Sequence, residues 1–172
     1  YNIGKFEETV NAVKKEIPEV TYNDFHINLA QISDNYYGNS QKEVKIGDTE
    51  MIAEDIYKAI KNRKRQFGTI PIIEKAFLKG LYLYVRTKKT PARSRSLETS
   101  IFLDSFGDIY PSIMINKKLG NIRKTGYYLD PILKSEEAQV TRKNIMESKT
   151  ATDWTSCEAY QSLIGDMKKL FI

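Results

Sequence analysis

Side chains able to do chemistry are few in this chain. Among 172 residues there is one cysteine, Cys157, and one histidine, His26. A single thiol excludes an intramolecular disulfide, a Cys-only zinc site and a self-contained iron–sulfur cluster. A single imidazole leaves no pair for a HExxH-type metal site, and no catalytic residue is assigned. Cys157 falls at the start of the last helical pattern, where a helix N-terminus lowers a thiol pKa and suits a ligand or nucleophile. No second histidine accompanies it, so it reads as a small buried core residue. His26 alternates with Asp24 and Asn28 on one phase of a period-two run, either reaching a ligand or hydrogen-bonding within a wall. Gln31, Ser33 and Asn35 follow that run, where ligand contacts gather in parallel α/β folds, although turn chemistry explains Ser33 and Asn35 equally well. Arg86–Arg95, RTKKTPARSR, carries five basic residues around Pro91 and reads as a solvated linker rather than a phosphate-binding strip.

The elements that must position these groups follow from periodicity. Phe6, Val10, Val13 and Ile17 recur at helical spacing before Pro18. Thr21 to Ile32 alternates Phe25, Ile27 and Leu29 with polar residues, which predicts a strand. The segment Ser33 to Gly47 is turn-rich. Asp48 can cap a helix carrying Ile52, Ile56 and Ile60, which ends in the basic turn KNRKRQ before Gly68. Thr69 and Pro71 start another helix, with Ile73, Phe77, Leu81 and Val85 on one face. A boundary falls near Pro91. Beyond it, Leu97–Leu103 and Ile109–Ile115 form a hairpin around DSFGD, Ser135 caps a helix with Glu136 and Glu137 in its first turn, and a last helix runs from about Ser156 to Leu170. Trp154 reads as a packing anchor. The pairs Tyr36–Tyr37 and Tyr82 with Tyr84 invite a base-stacking reading, but Tyr82 and Tyr84 sit inside the apolar helix and read as interior packing, and no nucleic-acid motif accompanies the tyrosines.

Three stretches together resemble a known family. DFHINLAQISDNYYGN resembles a late strand and loop of the partial barrel of radical SAM enzymes. GDIYPSIMINKKLGNIRK resembles the start of their auxiliary-cluster domain, of the SPASM or shorter twitch type. DWTSCEAYQSLIG resembles its closing C-x-x-C-W-x-x-C-E-A-Y signature, with LDPILKSEEAQVTRKNI as the helix before it, so that the likeness runs from about Val20 to the end. The resemblance implies an α/β chain, α+β overall: residues 1–90 as the last strand–helix units of a radical SAM partial barrel with a helical hairpin, and 91–172 as a SPASM/twitch-like auxiliary domain of hairpin and helices. Full-length relatives are oxidoreductases that use S-adenosylmethionine and a 4Fe–4S cluster held by C-x-x-x-C-x-x-C. That motif is absent here, so the resemblance implies a fragment without independent activity that supports substrate positioning. Asn28, Gln31 and Ser33 would contact cofactor or substrate. The auxiliary-cluster ligand positions fall on Ser112, Thr150, Asp153 and Cys157, and with Cys157 the only thiolate no auxiliary cluster is expected. The implied partners are the missing N-terminal half of the barrel and a peptide or protein substrate.

Two other readings stand beside it: a non-catalytic binding or scaffolding module that kept the fold and lost the clusters, and a basic RNA- or anion-binding domain using Arg86–Arg95. The net charge of +5 is moderate for this length, which makes nucleic acid an unlikely partner. No apolar run approaches a membrane span or a signal core, so the expected compartment is cytoplasmic, and the opening without methionine reads as a piece of a longer chain.

Overall fold

The computed structural model describes residues 3–39, 41, 48–147 and 154–165. The chain divides into two compact units, Tyr1–Ala30 with Lys45–Pro91, and Gln31–Val44 with Ala92–Ile172.

The first unit is helical. Helix α1, Phe6–Glu16, places Glu7 and Glu8 in its first turn and Lys14 and Lys15 in its last, the arrangement that suits the helix dipole. The Gly4 amide donates to Asp55 Oδ2 at 2.6 Å, tying the entry of α1 to the next helix. Helix α2, Thr49–Asn62, is capped by Asp48, whose Oδ1 accepts from the amides of Glu50 at 2.8 Å and Met51 at 3.4 Å. Helix α3, Thr69–Thr87, packs on α2. Ile52, Ile56 and Ala59 of α2 and Phe77, Leu78, Leu81 and Val85 of α3 are buried, each set spaced to share one helical face.

Residues 25–30 keep the predicted alternation: Phe25, Ile27 and Leu29 are half-buried, and His26, Asn28 and Ala30 are exposed. The backbone is extended at Phe25 but carries no ladder pairing among the described residues. Period two thus reported an extended chain rather than a strand. A 3-10 turn, Tyr22–Asp24, precedes it, closed by a capping box between Thr21 and Asp24.

The second unit holds the only sheet among the described residues: β1 (Phe102–Leu103), β2 (Asp108–Tyr110) and β3 (Gly120–Asn121), antiparallel in the order β1-β2-β3. Phe102 faces Tyr110 and Leu103 faces Ile109, while Ile109 faces Gly120 on the other side. Gly107 makes the predicted turn at φ +88°, a conformation that costs a side-chain-bearing residue strain. Helices α4 (Asp130–Leu133), α5 (Glu136–Met146) and α6 (Ser156–Gly165) complete the unit. Its core joins Leu97, Ile109, Ile115, Leu119, Ile132, Ala138 and Ile145. A Cβ on Gly120 would lie 3.1 Å from Ile132 Cγ1, so a glycine lets β3 approach α4. Ser135 caps α5 as predicted, accepting from the Ala138 amide at 3.2 Å.

The expected α/β partial barrel is therefore corrected. The architecture is a small mixed α+β fold with an open three-stranded sheet. A partial barrel of that kind needs parallel strands joined by crossovers, and here every pairing between strands of the sheet among the described residues is antiparallel and local, while the segment expected as a barrel strand pairs with nothing described. No helix among the described residues is long and apolar enough to cross a membrane.

Candidate functional site

The residues expected to meet a cofactor are divided between the two units. Asn28 is exposed in the extended segment of the first unit, whereas Gln31 and Ser33 belong to the second. There the loop after Gln31 is held by its own polar side chains. The Ser33 amide donates to Asn39 Oδ1 at 2.8 Å, and Asn39 Nδ2 donates to the Gln31 carbonyl at 2.8 Å. Asn35 Nδ2 donates to the Ser112 carbonyl at 2.9 Å, and the Ser33 hydroxyl reaches the Ile113 carbonyl. The hydroxyl of Ser112 accepts from the Met114 amide at 3.1 Å. These groups do the work of turns, satisfying backbone that would otherwise be buried without partners.

Cys157 is exposed on α6, which corrects its reading as a core residue. The buried face of α6 is Glu158, Ala159 and Ser162, while Ile164 of the expected apolar stripe is 51% exposed. Glu158 is drawn inward by two hydroxyls: Ser96 Oγ donates to its Oε2 at 2.8 Å and Ser94 Oγ lies 3.1 Å away. Trp154 is buried. Thr150 and Asp153 lie outside the described residues. Among those described, no three His, Cys, Asp or Glu side chains form a group that could hold a metal ion.

The basic run is largely spent on internal pairing. Arg93 makes a two-point contact with Glu98, at 2.8 and 3.1 Å, and Arg95 Nη1 reaches Glu98 Oε2 at 2.8 Å. The Arg93 guanidinium, with Arg95 beside it, holds the Glu98 carboxyl below its usual range. Arg95 Nη2 also donates to the Gly165 carbonyl at 2.9 Å. Arg86 lies over the Tyr82 ring and donates to its hydroxyl at 2.8 Å.

A concavity of about 590 Å³ opens instead in the first unit, at the turn between α2 and α3. Its volume is within the usual range of ligand sites. Ile60, Pro71 and Leu78 supply apolar lining, and Arg63, Lys64, Arg65 and Lys75 supply positive charge against a single carboxylate, Glu74. Arg63 Nη2 donates to Glu74 Oε1 at 3.1 Å and to the Phe25 carbonyl, so that cation is compensated. Lys64, Arg65 and Lys75 have no carboxylate partner among the described residues, and Arg65 lies 5.1 Å over the Phe67 ring. Phe67 and Ile70 are 85% and 81% exposed beside them.

The turn bearing Lys64 and Arg65 is pinned. Asn23 Oδ1 accepts from the Lys64 amide at 2.9 Å, while its Nδ2 donates to the Lys64 carbonyl and to Gln66 Oε1, both at 3.0 Å. Gly68, at φ +119°, turns the chain into α3 without a side-chain cap. Behind the wall, His26 Nδ1 lies 3.1 Å from Glu74 Oε1 and its ring stacks on Phe77 at 5.4 Å. The hydrogen bond to Glu74 raises the His26 pKa against the opposing cost of burial, with help from the Glu74 charge and Asn28 and a smaller opposing field from Arg63.

Comparisons with protein-family models, with curated proteins and with solved structures find no match. With no supporting family match, an open antiparallel sheet and no metal-binding group among the described residues, the radical SAM/SPASM resemblance is overturned. With it fall the oxidoreductase-fragment reading, the cluster-derived module and the assignment of S-adenosylmethionine and 4Fe–4S chemistry to relatives of this chain. The basic turn before Gly68 was visible in the sequence as the end of a helix. Its signal as a site was Phe67 and Ile70, two large apolar residues off the core phase of α3 and adjacent to unpaired cations.

Proposed function

We propose that the first unit is a recognition module whose concavity at the α2–α3 turn takes a negatively charged ligand with an apolar part. The observation that carries this reading is the rim. Lys64, Arg65 and Lys75 lack carboxylate partners among the described residues while Phe67 and Ile70 stay exposed beside them, around a space of about 590 Å³. Unpaired cations next to unburied apolar surface suit a ligand that carries both kinds of group. Asn23 fixes the turn in advance, which lowers the entropic cost of binding.

An amphipathic anion, 8-anilinonaphthalene-1-sulfonate, tests it by fluorescence titration. The wild-type protein should bind the dye saturably, and the triple variant Lys64→Ser/Arg65→Ser/Lys75→Ser should bind about tenfold more weakly, equivalent to about 1.4 kcal/mol. A charge-matched control, Lys124→Ser/Lys134→Ser/Lys143→Ser, removes exposed cations of the second unit and should leave the titration unchanged. Equal loss in both triple variants, or no saturable binding, would refute the reading.

A further inference from the structure

Resting on that reading, we infer that the ligand is an extended acidic peptide segment, with carboxylates at intervals and one bulky apolar side chain seated between Phe67 and Ile70. The spacing of the cations carries this first. Lys64 and Arg65 precede α3, and Lys75 stands six residues after its first residue, Thr69. Lys75 thus lies about 9 Å along the axis from the first residue of α3, at ~1.5 Å per residue, and the cations are divided between the turn before the helix and the helix itself. An extended chain advances ~3.3 Å per residue and can offer carboxylates at successive points along its length to cations held on two segments. A compact phosphate asks for donors converging on one point and for successive backbone N–H groups. Pro71, in the first turn of α3, supplies no N–H there.

The apolar groups carry it second. Phe67 and Ile70 flank a concavity, which suits insertion of a partner's side chain. A membrane-docking loop would present them from a convex tip. Arg65 covers one face of the Phe67 ring, removing that face from base stacking. The surplus of three uncompensated cations asks for acidic residues in the partner, and opposite charge on the two sides speeds encounter and sets register.

The test is fluorescence anisotropy with three probes run beside the dye titration. The first is a short fluorescein-labelled peptide of Glu and Asp with Leu and Phe at its centre. The second is the same peptide with Ser at both apolar positions, and the third adds tripolyphosphate or phosphatidylserine vesicles as competitors. The apolar-centred peptide should bind at least tenfold more tightly than the Ser peptide, because it alone supplies an apolar side chain to bury. Phe67→Ser and Ile70→Ser, both at exposed positions, should each erase most of that difference while the far-ultraviolet circular dichroism stays unchanged. Equal binding of the two peptides overturns the inference, as does tripolyphosphate or vesicle binding that excludes peptide. If the dye binds at the rim and neither peptide binds, the inference fails while the recognition reading stands. If the dye shows no rim-dependent binding, both fail.

Discussion

In the first unit the carboxylate of Glu74 is shared by a guanidinium and an imidazole, whereas in the second the carboxyl of Glu158 is shared by two serine hydroxyls. Each carboxyl is largely buried, but the compensation differs in kind. Arg63 brings a full charge into the protein and is itself dependent on Glu74. Its Nη2 is satisfied by Glu74 and Phe25, and its Nε is buried without a partner. Ser94 and Ser96 bring no charge and can bond to each other, since their hydroxyls lie 2.9 Å apart. A carboxylate held by a cation builds a wall that one deletion leaves with a stranded charge. A carboxyl held by hydroxyls builds a joint that survives the same deletion in part.

The sharpest way to break this comparison is to remove the two carboxyls in turn. Glu74→Ala strands a guanidinium that is 11% exposed and should cost about 3 kcal/mol, the scale for breaking a buried ion pair. Hydrogen exchange should show the loss in α3. Glu158→Ala leaves two hydroxyls that still pair with each other and should cost about 2 kcal/mol or less, with the loss appearing in α6. Equal costs would show that charge compensation is not what separates the two joints.

These joints also mark where sequence reasoning stopped. The helices of both units were legible because local chemistry announces them: Asp48 and Ser135 cap, Pro18 stops, and Ile52/Ile56 and Phe77/Leu81/Val85 repeat at helical spacing. The hairpin was legible through Gly107 and the β-branched runs around it. Alternation at residues 25–30 is a property of any extended chain, and whether a partner strand lies beside it depends on residues far away in sequence. The barrel reading rested on that missing partner. On α6 the buried face is chosen by Ser94 and Ser96, more than sixty residues earlier, which draw Glu158 inward and leave Cys157 and Ile164 exposed. The pocket escaped notice because Lys64 and Arg65 look like a solvated helix end until the structure sets them beside Lys75 with no carboxylate partner among the described residues.

Removing one cap in each unit gives a smaller, matched contrast. Asp48 Oδ1 accepts from two amides and Ser135 Oγ from one. Each Ala substitution should cost about 1 kcal/mol, with Asp48→Ala the larger, as read from denaturant midpoints at constant slope. A larger loss from Ser135→Ala would mean that the cap on α5 is coupled to the packing of Ala138 beneath it.

The smallest effect is the most discriminating, because the two units should respond to pH in opposite directions. Glu74 raises the His26 pKa, so the folded first unit binds that proton more tightly than the unfolded chain does. The resulting stability is fully present below the ordinary imidazole value of ~6.5 and is lost as pH rises through the raised folded value. In the second unit Arg93, with Arg95, lowers the Glu98 pKa, so its contribution is present above the ordinary carboxylate range and is lost as pH falls through the depressed value. Between pH 6 and pH 8 Glu98 is ionised in both folded and unfolded chains and contributes no slope. His26→Asn should therefore narrow the stability difference from wild type as pH rises across that interval, with the change confined to hydrogen exchange in α3. Glu98→Gln should lose less relative to wild type only on acidification, with the change confined to residues 93–100. A pH-independent His26→Asn effect would mean that the imidazole serves Glu74 only as a neutral hydrogen-bond partner, leaving the Arg63 guanidinium to supply the charge compensation at that joint.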